Sequence, residues 1–225
     1  MANAFNRSEL NNLRAENERL KNSREDKNVD NSETALSDKE IRRKIAEADQ
    51  NPANSAFQKN LGIALYRYAT MKQDAELLTE AARLLNRAFE NNRKDYDVVV
   101  TLGNIYFDIG YFNKENDKLQ KAREFYEKAL EQKPNDADVR TDFGLTYFLE
   151  TPPQTERAIL EFQESLKENP TNEKTLQILT QALLSQNKTE EADKHLAKLK
   201  EVNQNNPSIS DLTSQLTEAK NNQKK

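Results

Sequence analysis

Cysteine is absent from the chain, which excludes disulfides, a thiolate metal site and a cysteine nucleophile. Histidine occurs once, at His195. A single imidazole with no thiolate beside it makes a poor metal site. Four glycines are too few for a loop that cradles phosphate. Together these shortages remove most enzyme classes, so no cofactor, no metal and no catalytic set are expected. There is no basic block and no stripe of aromatics interleaved with arginine, which argues against nucleic acid. No apolar run approaches the roughly 20 residues that span a bilayer. The first residues, MANAFNRSELNN, lack the apolar core of a signal peptide. The expectation is a soluble cytoplasmic protein with no direct membrane insertion. Removal of an upstream anchor would leave the same sequence, so the soluble part of a membrane-anchored protein is the alternative.

With 35% hydrophobic and 32% charged residues, the composition is lean for one compact globule of 225 residues. It suits an elongated array in which each unit touches only its neighbours. The net charge of −4 is small for this length.

Periodicity is the strongest positive signal. Gly62, Gly103 and Gly144 follow one another at intervals of 41 residues. A fixed period in this range marks a repeat array. Each glycine sits in a first helix, within a local pattern of large residue, Leu-Gly or its equivalent, then large residue. The four copies read Gln58, Leu61-Gly62, Leu65; Val99, Leu102-Gly103, Tyr106; Arg140, Phe143-Gly144, Tyr147; and Leu176, Leu179-Thr180, Leu183. A second helix follows with alanine and a bulky residue four positions on: Ala81 and Leu85, Ala122 and Tyr126, Ala158 and Phe162, Ala192 and Leu196. Eight residues later comes a corner at Arg93, Pro134, Pro170 or Gln204. The small residue lets two backbones approach, and the bulky residue opposite fills the space beside it. Glycine inside a helix costs about 1 kcal/mol relative to alanine, so its recurrence calls for close packing that offsets the cost.

This combination resembles the tetratricopeptide repeat, over roughly residues 53–205. The resemblance implies an all-α fold, an α-solenoid of antiparallel helix pairs wound as a right-handed superhelix. The usual unit has 34 residues. Here the glycine or its substitute precedes the paired alanine by 19, 19, 14 and 12 residues in successive copies, and only the last spacing is usual. An excess of seven is about two helical turns, one for each antiparallel helix, which keeps both apolar faces in register. Longer helices meeting near Gln73-Asp74 and near Asn113 to Asp117 are therefore expected, rather than loops. In the third copy Thr151-Pro152-Pro153 reads as a rigid turn, with one proline admissible in the opening turn of the next helix.

The flanks read differently. Residues 5–25 place Leu10, Leu13 and Leu20 on coiled-coil core positions with Asn17 between them. Only two heptads are apolar, so the stretch reads either as a frayed amphipathic helix or as a short self-association helix that would make a homo-oligomer. Residues 21–36 are polar and read as a flexible linker, which completes an N-terminal region of residues 1–36. Ser37-Asp38-Lys39-Glu40 is a capping-box pattern. It opens a helix through Gln50 that resembles the second half of a degenerate leading repeat, and Asn51-Pro52 ends it. The repeat domain is read as residues 37–222. Its last helix follows Ser208-Ile209-Ser210-Asp211, a second capping pattern, and would cover the final repeat through Ile209, Leu212 and Leu216. Asn221 to Lys225 read as disordered.

Glu124, Glu127 and Glu131, like Glu90, Asp95 and Asp97, could pair as acid and base, but solvated helix faces explain them. In tetratricopeptide arrays the first helices line a groove for an extended peptide or a partner helix. The resemblance places Lys59, Ile63, Tyr66, Arg67, Val100, Asn104, Phe107, Asp108, Thr141, Leu145, Phe148, Leu149, Gln177 and Gln181 on that groove. The competing reading packs Phe107 and Phe148 between neighbouring repeats. Asn104 matches a position that grips a ligand backbone in some relatives. Ile63 and Asp108 interrupt the basic set with which chaperone-binding relatives hold a C-terminal carboxylate. The expected function is a non-catalytic adaptor that binds a protein or peptide; a scaffold that self-assembles through the N-terminal helix is the alternative.

Overall fold

The computed structural model describes residues 37–223, and the readings for residues 5–25 and 21–36 lie outside them. Among the described residues there are ten α-helices and no strand. They are α1 (Asp38–Gln50), α2 (Ser55–Lys72), α3 (Ala75–Asn91), α4 (Tyr96–Asn113), α5 (Asn116–Gln132), α6 (Ala137–Phe148), α7 (Thr155–Glu168), α8 (Glu173–Ser185), α9 (Thr189–Val202) and α10 (Ile209–Asn222). The described residues fall into two compact units, one of residues 37–175 and one holding 176–223.

Within residues 37–175 the helices come in pairs, α2 with α3, α4 with α5 and α6 with α7. The notches form as the periodicity implies. A Cβ added to Gly62 would stand 2.6 Å from Leu85 Cγ, one on Gly103 would stand 2.6 Å from Tyr126 Cε1, and one on Gly144 would stand 2.6 Å from Phe162 Cε1. In each pair the bulky residue named by the pattern occupies the glycine's missing side chain. Ala81, Ala122 and Ala158 are fully buried beside them.

Turns set the helix lengths. The capping box at Ser37 forms, with Ser37 N donating to Glu40 Oε2 at 2.9 Å and Glu40 N donating to Ser37 Oγ at 3.3 Å. Corners share one geometry whether or not they hold proline. Asn54, Asp95, Asp136 and Asn172 each donate a backbone N–H to the carbonyl three residues earlier, at 3.1 to 3.2 Å. The same side chains accept from the N–H three residues on, at Phe57, Val98, Val139 and Thr175. These are β-turns whose last residue is the next helix's N-cap.

The pairs α2/α3 and α4/α5 meet at Gln73-Asp74 and Lys114-Glu115 without intervening loops, as the length argument expects. Gln73 and Lys114 take the left-handed conformation there, with φ of 56° and 58°. Thr151-Pro152-Pro153 makes a tight turn with a cis Thr151–Pro152 bond. Neither proline enters the next helix, because α7 begins at Thr155 behind Gln154.

In the second unit, Leu176, Leu179, Thr180, Leu183, Ala192 and Leu196 are all buried, so threonine stands where glycine does elsewhere. Leu212 and Leu216 bury the inner stripe of α10, and Ile209 is half-buried. Ser208 makes no side-chain cap; its N–H is instead taken by Asn206 Oδ1 at 2.8 Å. The helix also continues through Asn221 and Asn222, one and a half turns beyond Leu216, so these two residues are ordered rather than disordered.

Candidate functional site

The first helices of the 37–175 unit are α2, α4 and α6, and the residues assigned to the groove divide by burial. Phe107, Asp108, Thr141 and Leu145 are buried, at 0%, 2%, 0% and 1% exposure. Phe107 stacks on Tyr111 with ring centroids 6.4 Å apart. Tyr66 donates its hydroxyl to Asp108 Oδ2 at 3.2 Å, which joins α2 to α4. Thr141 donates to the Ala137 carbonyl at 2.8 Å and shares hydrogen bonds with Ser165 at 2.8 Å and Thr175 at 2.7 Å. These four side chains are closed off from solvent, so any accessible part of the groove assigned from the resemblance lies with the other residues of these helices.

The charged and polar members are also engaged. Lys59 Nζ lies 2.8 Å from Asp95 Oδ1 and 2.9 Å from Asp97 Oδ2. Burial opposes its charge, but the bonds to the two aspartates outweigh that and hold its pKa above the ordinary lysine value. Asn104 accepts the Tyr126 hydroxyl at 2.9 Å, the same tyrosine that fills the Gly103 notch. Phe148 meets the Phe162 ring edge-on at 6.4 Å. Phe107 is thus buried against its own helix, and Phe148, half-buried, packs on the paired helix. Ile63, Val100, Phe148 and Leu149 are half-buried, as are Lys59, Tyr66 and Asn104, and Arg67 is exposed, so the accessible part of the face mixes aliphatic and aromatic side chains with polar ones. On α8, in the other unit, Gln177 is buried with its carbonyl oxygen 3.3 Å from Asn206 Nδ2, and Gln181 is half-buried.

Sequence reasoning missed a second cluster, on the second-helix side of the same unit. Arg123 and Glu150 form a buried bidentate ion pair at 2.7 and 3.1 Å, and Gln154 Nε2 donates to Glu150 Oε2 at 2.6 Å. Hydrogen bonds from Arg123 hold the Glu150 carboxyl below its ordinary range. The Arg123 and Arg157 guanidiniums lie 4.5 and 4.4 Å from the Tyr147 ring centroid. Burial raises the Tyr147 pKa against these cations. Gln120, Glu124 and Glu127 complete an open cleft of about 320 Å³ there. No periodic feature marks Arg123 or Glu150. Their pairing across 27 residues appears only once the helices are placed.

Burial lowers the pKa of His195 below the ordinary imidazole value. Among the described residues no group of three or more His, Cys, Asp or Glu is placed to hold a metal ion. No helix among them is long and apolar enough to cross a membrane.

No curated protein matches the chain. Solved structures do match in fold. MamA from Desulfovibrio magneticus RS-1 is 17% identical with a TM-score of 0.62, over 88% of this chain and 98% of that one. YrrB, a tetratricopeptide repeat protein with an unusual peptide-binding site, is 13% identical with a TM-score of 0.61, over 91% and 88%. A tetratricopeptide repeat protein from Parabacteroides merdae is 20% identical with a TM-score of 0.59, over 73% and 61%. The sequence model of the tetratricopeptide repeat matches residues 154–216. Residues 154–216 thus match the tetratricopeptide repeat in sequence, and the chain shares the fold of tetratricopeptide repeat proteins.

Proposed function

We propose that the protein is a non-catalytic interaction scaffold that holds a peptide or a helix of another protein against the first-helix face of residues 37–175. The observation that carries this reading is the set of half-buried apolar side chains that the first helices leave accessible: Ile63 on α2, Val100 on α4, and Phe148 and Leu149 at the end of α6. An apolar face with polar neighbours suits an amphipathic segment. Lys59, Tyr66 and Asn104 have a positioning role, because their polar atoms already bind within the array. YrrB, with its peptide-binding site, lends the reading an analogy of fold alone.

A photo-crosslinking residue placed at position 63 or 100, in cells of the source organism, tests the assignment. The expected result is one shared adduct from both positions and none from position 124 on the exposed side of α5. Adducts from position 124 alone, or from none of the three, would overturn it.

A further inference from the structure

The geometry points to α1 as a detachable cap on the α2–α3 pair, held by a narrow apolar stripe and one carboxylate latch, that opens independently of the helices it covers. Its thirteen residues bury only Ile41 and Ala48, whereas α3 buries six residues and α5 seven. Ile45 is half-buried and most of the remainder is exposed. A helix of this length does not persist alone in water, so leaving the pair also unwinds it.

Asp49 supplies the latch. Its carboxylate takes Arg83 on both oxygens and Arg87 Nη1 at 2.7 Å, so two guanidiniums of α3 converge on one acid of α1. The last turn of α1 has no basic residue, and an acid there opposes the helix dipole. Asp49 therefore contributes through docking rather than through helix formation. The three side chains are 43%, 33% and 30% exposed, so salt screens the contact.

Gln58 shows what the docked state leaves unsatisfied. It is fully buried against the end of α1, and its amide nitrogen donates to the Ala48 carbonyl at 2.7 Å and the Asn51 carbonyl at 3.2 Å. Its Oε1 is buried with no hydrogen-bond partner. A sealed acceptor without a donor opposes docking, and opening lets water reach it. The Asn51-Pro52-Ala53-Asn54 turn stays closed by its own backbone bond and serves as the hinge.

Hydrogen exchange on the full chain tests this. Amides of the last two turns of α1 are expected to exchange about tenfold or more faster than those of α3 and α4 under native conditions. Asp49→Asn should speed the α1 amides by a further factor of about two to five, the range of an exposed ion pair, without altering α3 to α5. Because the chain has no cysteine, a single thiol gives a second readout. Ala48→Cys should react with a thiol reagent faster than Ala81→Cys, and added salt should speed only the former. If α1 exchanges together with α3, or if Asp49→Asn accelerates α1 through α5 alike, α1 is an integral part of the pair and the proposal fails.

Discussion

The first two helix pairs and the third solve one packing problem at different lengths. The helices α2 and α3 have 18 and 17 residues, α4 and α5 have 18 and 17, and α6 and α7 have 12 and 14. All three seat a bulky side chain in a glycine notch at the same 2.6 Å separation. The notch thus fixes where two helices cross, and length is added or removed beyond the crossing. Added length has to come on both arms together. An extra turn on one helix would otherwise have nothing to cover its apolar stripe. The ends differ accordingly. The long pairs close with a left-handed residue and a bond from the next N–H back to a carbonyl five residues earlier, Asp74 to Ala69 and Glu115 to Gly110, both at 2.9 Å. The short pair closes through the two prolines, with Gln154 N donating to the Tyr147 carbonyl at 2.9 Å.

Arg123 is where a long pair grips the short one, so removing it should have the largest effect. Arg123→Ala removes the bidentate partner of buried Glu150 and leaves it only the Gln154 amide and the weaker influence of Arg157, so the expected loss is at most about 3–5 kcal/mol of unfolding free energy. Replacing both partners by apolar residues should cost far less, because no charge is then stranded. The pair also carries a pH signature. The Glu150 pKa lies below its ordinary 4.5, held there by Arg123, so the folded state binds this proton less readily than the unfolded chain. Its contribution is complete above the ordinary value and is lost as pH falls through the depressed one. Urea titrations of Glu150→Gln across the acid range should lack this component.

Next in size is the notch itself. Gly103→Ala gains about 1 kcal/mol of helix propensity but drives a Cβ into the Tyr126 ring, whose hydroxyl is tied to Asn104. Overpacking of this kind costs about 1–3 kcal/mol. A net destabilisation is expected, and it should be smaller in the Tyr126→Leu background. Equal losses in both backgrounds would mean that the ring is not what fills the notch.

These features divide into those the sequence carries locally and those it does not. Gly62, Gly103 and Gly144 could be paired with Leu85, Tyr126 and Phe162 because a steric complement must recur at a fixed distance along the chain. The turns at Gln73 and Lys114 followed from counting residues between the two partners. Phe107 and Thr141 could not be placed in this way. Whether a first-helix residue faces a partner or the neighbouring first helix depends on how pairs stack, and the spacing within one pair says nothing of that. The resemblance places Lys59 on the groove without partners, and Asp95 and Asp97 reach it from 36 and 38 residues away only once the helices are stacked. Ser208 shows the reverse failure. A capping pattern is present, yet Asn206 in the corner captures the backbone that the pattern would have used.

The smallest effect separates the two kinds of turn by sign. Gln73 and Lys114 hold φ of 56° and 58°, a backbone conformation in which a Cβ carries a steric penalty. Glycine adopts it without the Cβ penalty. Gln73→Gly and Lys114→Gly should each raise stability by about 0.5–1 kcal/mol, seen as a higher urea midpoint at unchanged slope. In the short pair the residue that closes the first helix is Leu149, with φ −95° and ψ −6° in the right-handed region. Leu149→Gly removes a half-buried side chain and adds backbone freedom, so it should lower the midpoint. Opposite signs for one substitution at equivalent helix ends would establish that the long pairs pay for their matched extra turns in backbone strain at the tip. A fall in stability at Lys114→Gly would show instead that its side chain contributes more at that tip than the left-handed backbone costs.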